Sequence, residues 1–166
     1  LSLVGSEMCI RDRYYTERRV ENVFQKDGIL HLRCISEDTL KNEKGEILNK
    51  NITDGKEYYI TSGSITTKGK HAWTYCRVEA RLKVPQASGT WPALWMMPSD
   101  NVEFYCDGRM FYLILNPDTN WGDWPFDQDF HLILNFAFGG GWGGEKGFDT
   151  SVLPLDYQID YVRIFQ

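Results

Sequence analysis

Long apolar runs are missing: nowhere in the 166-residue chain do eighteen such residues follow one another, so no membrane-spanning helix is expected. Metal-ligand spacing is missing too, because Cys9, Cys34, Cys76 and Cys106 are widely scattered and His31, His71 and His131 stand singly. That pattern gives neither a zinc ribbon nor a CxxC redox pair, and no metal or other cofactor is expected. No nucleophile elbow, P-loop or dinucleotide fingerprint occurs, and the glycine-rich run GGGWGGEKG lacks the GK[ST] ending that grips a phosphate. A basic surplus is also absent: 18 Lys and Arg against 23 Asp and Glu leave a net charge of -5, which argues against a nucleic-acid partner. There is no internal repeat and no amphipathic helix of useful length.

What the chain has is aromatic side chains, glycine and short alternating segments. Six Trp, nine Tyr, nine Phe and fifteen Gly, with turn residues between the segments, indicate an all-β sandwich in one domain. Strands are expected at NVFQ and ILHLRCI around the turn Lys26-Asp27-Gly28, then at EYYITSGSITTKG, where Gly63 marks a bulge or a close approach. Residues 37–56 are polar and aperiodic and read as a loop. VEFYCDGRMFYLIL reads as a hairpin turning at Asp107-Gly108. FHLILNFAF suits a strand buried between two layers with Asn135 as its polar interruption, and YQIDYVRIF closes the domain.

The segment from Arg77 to Met97 reads as two strands joined by a polar turn. Val78, Ala80, Leu82 and Val84 share one face while Arg77, Glu79, Arg81 and Lys83 share the other, the period of a half-buried sheet. Trp91 and Trp95, four apart, point to one side, and large rings beside guanidinium groups suit a polyhydroxylated ligand such as a sugar. Residues 1–13 read as a non-native, adapter-like leader with charges in place of a signal-peptide core. The cysteines are expected to be buried small hydrophobes, with a Cys34 to Cys106 disulfide as the alternative.

Taken in order, YYTERRVENV, DGILHL, TSGSITTKGK, YCRVEARLKVP, GTWPALWMMP, EFYCDG, WPFDQDFHLILNFAFGGGWGG and DYVRIFQ resemble glycoside hydrolase family 16, and within it the laminarinase-like endo-β-1,3-glucanases. The resemblance implies a concanavalin-like jelly-roll sandwich of two antiparallel sheets, with a groove for β-glucan, and extracellular localisation. It also implies retaining hydrolysis by two carboxylates about 5–5.5 Å apart, both carried on one strand in a motif E-[IL]-D-[IFV]-x(0,1)-E.

That motif is absent. By the resemblance the catalytic strand should lie between GTWPALWMMP and EFYCDG, yet only SDNVE separates Pro98 from Phe104. Residues 14–166 are therefore expected to form one incomplete family-16-like domain with an internal deletion near 100–103 and no catalytic residue. Asp156 and Asp160 would share a face of the closing strand but lack a third group, Glu103 stands alone, and Glu79 suits ion pairing with Arg77 and Arg81. By the same resemblance Arg81, Trp95, Asn135 and Trp142 line the glycan cleft, with Asn22 and Trp91 beside them. The expected partner is a β-glucan polysaccharide or oligosaccharide, with no membrane involved. Two functions follow: an inactive relative of an endo-β-1,3-glucanase, or a non-catalytic β-glucan-binding module.

Overall fold

A computed structural model describes residues 2–3, 14–53, 56–96, 102–114 and 129–166. In chain order the strands are β1 (Ser2–Leu3), β2 (Tyr14–Tyr15), β3 (Val23–Lys26), β4 (Ile29–Ser36), β5 (Lys50–Thr53), β6 (Lys56–Ser62), β7 (Ser64–Thr66), β8 (Arg77–Lys83), β9 (Thr90–Trp95), β10 (Val102–Cys106), β11 (Arg109–Ile114), β12 (Ile133–Phe138) and β13 (Leu155–Phe165). They form a four-stranded sheet, β1-β7-β12-β9, and a seven-stranded sheet in which β2-β6-β4-β13-β8 run in order while β3 and β5 flank β4 and β6. β10 and β11 pair only with each other among the described residues. The all-β jelly-roll expectation is met.

The two sheets meet at an apolar seam. Period-two alternation sends Ile65, Leu134, Phe136 and Phe138 of one sheet against Leu32, Cys34, Ile60, Tyr157 and Ile159 of the other, all buried in one cluster. Burial of a large side chain of this kind contributes about 1.5–3 kcal/mol. Phe148 closes one end of the seam, with its ring centroid 5.6 Å from that of Phe138 and 5.0 Å from that of Tyr58. The strand within FHLILNFAF, β12, is buried along nearly its whole length as its apolar run anticipated, but it lies inside one layer, between β7 and β9, and not between two layers.

Gly63 is where the chain passes from one sheet to the other, for it stands between β6 and β7. A Cβ there would lie 2.5 Å from the Asn22 carbonyl oxygen and 2.9 Å from Val23 Cγ2, so the close approach excludes any side chain. The crossing is held on both flanks: Ser62 Oγ donates to the Phe136 carbonyl (2.5 Å) and Phe136 N–H donates to the Gly63 carbonyl (3.2 Å).

Four expectations need correction. Residues 37–56 are not all loop, since β5 pairs with β6 from Lys50↔Tyr59 to Thr53↔Lys56, a hairpin hidden by its polar composition. The glycine-rich run, whose composition reads as a loop before the closing strand, is not all loop, since Gly140–Gly143 form a short helix, α1. The cysteines are not uniformly buried: Cys34 is in the core, but Cys76 is half-buried and Cys106 is exposed on the β10–β11 hairpin, and Cys34 and Cys106 form no disulfide. Most consequential, the two strands between Arg77 and Met97 do not share a sheet, because β8 pairs with β13 while β9 pairs with β12.

On the outer side of the seven-stranded sheet β4 and β13 are clasped by charge. Asp156 accepts from Arg33 Nε (2.7 Å) and Nη2 (2.9 Å), His31 Nδ1 lies 3.0 Å from its second oxygen, and Phe24 stacks on His31. Burial works against the charged carboxylate, yet the hydrogen bonds from Arg33 and His31 and the charge of Arg33 outweigh it and hold the Asp156 pKa below its usual value. Glu37 behaves alike: burial opposes its charge, but the Arg19 guanidinium and the Thr61 hydroxyl lower its pKa.

Two outcomes follow. Gly63→Ala should destabilise the fold by about 1–3 kcal/mol in urea unfolding, because the nearest atom to the new methyl is the Asn22 backbone carbonyl oxygen, which cannot swing aside as a side chain can. Because the folded pKa values of Asp156 and Glu37 are depressed, the stability they confer is full above the ordinary carboxylate range, about pH 4, and is lost as pH falls through the folded values. Asp156→Asn should lower stability at neutral pH and flatten this acid-side decline in a series of melts.

Candidate functional site

The register between β9 and β12 decides which side chains share a surface. Trp91 is opposite Ala137, Ala93 opposite Asn135 and Trp95 opposite Ile133, and on the far flank Asn135 is opposite Ser64 of β7. Directly paired residues project to the same side. Trp91, Ala93, Trp95, Ile133 and Asn135 therefore occupy the outer face of the four-stranded sheet, since the intervening Leu94, Leu134 and Phe136 face the seam. Trp91 and Trp95 keep 42% and 46% of their surface open to solvent, an unusual retention for the largest apolar side chains.

Trp95 is not loosely displayed. Its Nε1–H donates to Asn135 Oδ1 at 2.7 Å, and Asn135 Nδ2 donates in turn to the Tyr15 hydroxyl at 2.8 Å. Asn135 itself is 6% exposed, and its amide, bonded at both its oxygen and its nitrogen, orients the indole. The result is a ring held rigid at its polar edge and open on its face. Such a ring suits the apolar C–H face of a pyranose at low entropic cost.

The expected site residues are only partly brought together. Trp91, Trp95 and Asn135 share one face. Arg81 does not join them: it projects from the outer face of β8, on the opposite side of the sandwich, and pairs with Asp160 at 3.3 Å. The cause is the sheet change between β8 and β9, which reverses which side of the molecule an outward residue sees. Asn22 is also corrected. It is fully buried, accepting from the Thr16 hydroxyl (2.7 Å) and donating to the Arg33 carbonyl (3.0 Å) and Thr61 Oγ1 (3.1 Å), so it braces the core. Trp142 lies in α1, and its side chain falls outside the described residues. Tyr15 was not anticipated, because its partner Asn135 is 120 positions away and nothing local in YYTERR announces the bond.

The carboxylates are elsewhere. No Asp or Glu occurs on β1, β7, β9 or β12, the strands of the sheet that carries Trp91 and Trp95. Asp156 and Asp160 are separated in role, the first clasped by Arg33 and the second by Arg81, with a bulge between Ile159 and Tyr161. Glu79 pairs with Arg77 at 2.9 Å, and Glu103 accepts from Tyr105 on the β10–β11 hairpin. No group of three His, Cys, Asp or Glu able to hold a metal exists among the described residues.

Replacing Asn135 by Leu should cost about 1–3 kcal/mol in urea unfolding, since it removes at once the hydrogen bonds that the amide makes with the Tyr15 hydroxyl and the Trp95 N–H.

No protein-family model matches the chain. A beta-glucanase of Rhodothermus marinus is 26% identical over 226 aligned positions that cover 93% of this chain and 73% of that protein. The crystal structure of a laminarinase from Rhodothermus marinus superposes with a TM-score of 0.81 at 24% identity, covering 99% of this chain and 89% of that one. A non-specific endo-beta-1,3(4)-glucanase from family GH16 does so with a TM-score of 0.78 at 25% identity, covering 97% and 80%.

Proposed function

We propose that this chain, a laminarinase-like protein of glycoside hydrolase family 16, retains part of a β-glucan-binding surface but does not hydrolyse glucan. The observation that carries this reading is the contrast on one sheet: Trp91 and Trp95 stand open to solvent, while none of the strands bearing or flanking them supplies a carboxylate. Retaining hydrolysis requires a nucleophile and an acid/base about 5–5.5 Å apart, so a lone aromatic platform binds without cleaving. The alignment with the Rhodothermus marinus beta-glucanase supports an internal loss, because 226 aligned positions exceed the 166 residues of this chain and the relative must carry stretches with no counterpart here.

The proposed chemistry is recognition. The Trp95 ring, oriented by Asn135, covers the C–H face of one glucosyl unit, and Trp91, two registers along the same strand face, extends the platform. Uncharged β-glucan suits this face because its strands contribute no charged side chain. Arg81 has no part in it. The dedicated binding module remains the second reading, favoured by the rigidity with which Trp95 is held.

The purified chain should release no reducing sugar from laminarin above a buffer control, and sustained release that survives repurification would overturn the proposal. In affinity electrophoresis on laminarin the chain should be retarded, and Trp95→Ala should remove most of that retardation, a loss of about 1–3 kcal/mol in binding. Asn135→Leu should weaken retardation less than Trp95→Ala does.

A further inference from the structure

Two unfilled features of the sandwich are complementary. β8 ends the path of the seven-stranded sheet, so one row of its backbone groups has no strand beside it among the described residues. The edge of the other sheet, β9, is blunted by Pro92, whereas β8 contains neither proline nor glycine. The second feature is the β10–β11 hairpin, which exposes Phe104, Tyr105, Met110, Phe111, Tyr112 and Leu113 by 40–67%. A two-stranded hairpin apolar on both faces is marginal in water without a further strand or a packed face. Its two edges differ. The register steps from Phe104↔Tyr112 to Tyr105↔Met110, so the extra residue, Phe111, bulges on β11 and bends that edge, leaving β10 the regular one.

We propose that β10 of one copy adds antiparallel to β8 of a second copy, and reciprocally, so that the chain forms a closed two-fold dimer. Side-chain pattern specifies the pairing. On β8 the outward residues are Arg77, Glu79, Arg81 and Lys83, and the inward ones are Val78, Ala80 and Leu82. On β10 Glu103 and Tyr105 share a face, shown by the hydroxyl of Tyr105 donating to Glu103, and Phe104 and Cys106 share the other. In one register Glu103 falls opposite Arg81, Tyr105 opposite Glu79 and the turn residue Asp107 opposite Arg77, while Phe104 covers the small Ala80 and Cys106 meets Val78. A shift of two residues sets Asp107 or Glu103 against Glu79, and a shift of one turns the acids toward the core. Antiparallel pairing is the sense of every strand pair here except β2 with β6.

The occupant is a second copy because each copy carries both halves of the contact and, among the described residues, its own hairpin pairs with no strand of its sandwich. Phe104, Tyr105, Phe111 and Tyr112 are rings that bury about 150–250 Å² each when covered, and at 40–67% exposure they offer on the order of 400 Å² per hairpin, with Met110 and Leu113 beside them. Two reciprocal hairpins, covered in part and matched by the surface they meet on the other copy, bring the contact to roughly 1,000 Å², the size a specific interface needs. Made reciprocally within one pair of copies, the two contacts close the assembly at two and leave neither β8 nor β10 open.

Sedimentation velocity in reductant tests this. The chain should be a concentration-dependent dimer. Arg81→Glu should weaken it about tenfold, Glu103→Arg added to Arg81→Glu should restore it, and Val20→Lys, exposed on the body, should leave it unchanged. In a second measurement Val78→Cys, oxidised by glutathione disulfide, should give a dimer band on a non-reducing gel that disappears when Cys106→Ser is added. A monomer at all concentrations, a polydisperse series beyond two, a dimer indifferent to Arg81→Glu, or a Val78→Cys bond closed within one chain would each overturn the proposal.

Discussion

The structure depends on the apolar seam between its two sheets. Phe136 and Phe138 of β12 and Tyr157 of β13 are wholly buried there, and each short strand is positioned by the residues it sends into that layer. β12 is central in two senses: it pairs with β7 on one flank and β9 on the other, and its inward rings fill much of the gap. Individually the strands are too short to persist in water, so their geometry is a property of the seam. Gly63 makes the seam continuous by letting one chain segment serve both sheets without a loop.

Two surfaces with opposite chemistry result. Outward residues of the four-stranded sheet are aromatic and amide, with Trp95 tied to Asn135, while those of the seven-stranded sheet are ionic: Arg33 with Asp156, Arg81 with Asp160, Arg77 with Glu79. The first surface suits a neutral, hydroxylated polymer. The second is occupied by its own pairs, with Arg77 also lying over Phe165 and Arg163 over Tyr161, each near 4 Å from the ring centre by the distances 4.4 and 4.2 Å. Exposed pairs of this kind contribute little stability, but they dictate which strand can lie alongside.

Much of the fold was legible because it is written in alternation and turns. β4, β10, β11 and β13 sit where apolar period and Asp-Gly turns placed them, and the near-continuous run through β12 signalled burial on both sides. What alternation cannot express is which sheet a strand joins. Arg81 and Trp95 are close in sequence and were grouped for that reason, yet the change of sheet between β8 and β9 sets them on opposite sides. Asn22 misled in another way, since a buried amide satisfied by Thr16, Arg33 and Thr61 has the same residue type as one that meets a ligand. Trp91, Trp95 and Asn135 came together as expected because they lie on adjacent strands in direct register.

The bond from Asn135 to Tyr15 joins more than two side chains. Tyr15 belongs to β2 at the rim of the seven-stranded sheet, while Asn135 and Trp95 belong to neighbouring strands of the other. The indole is accordingly tethered to both layers. A single amide therefore ties the open ring to a strand of each sheet, so the platform is fixed by residues far apart in sequence and not by its own strand alone.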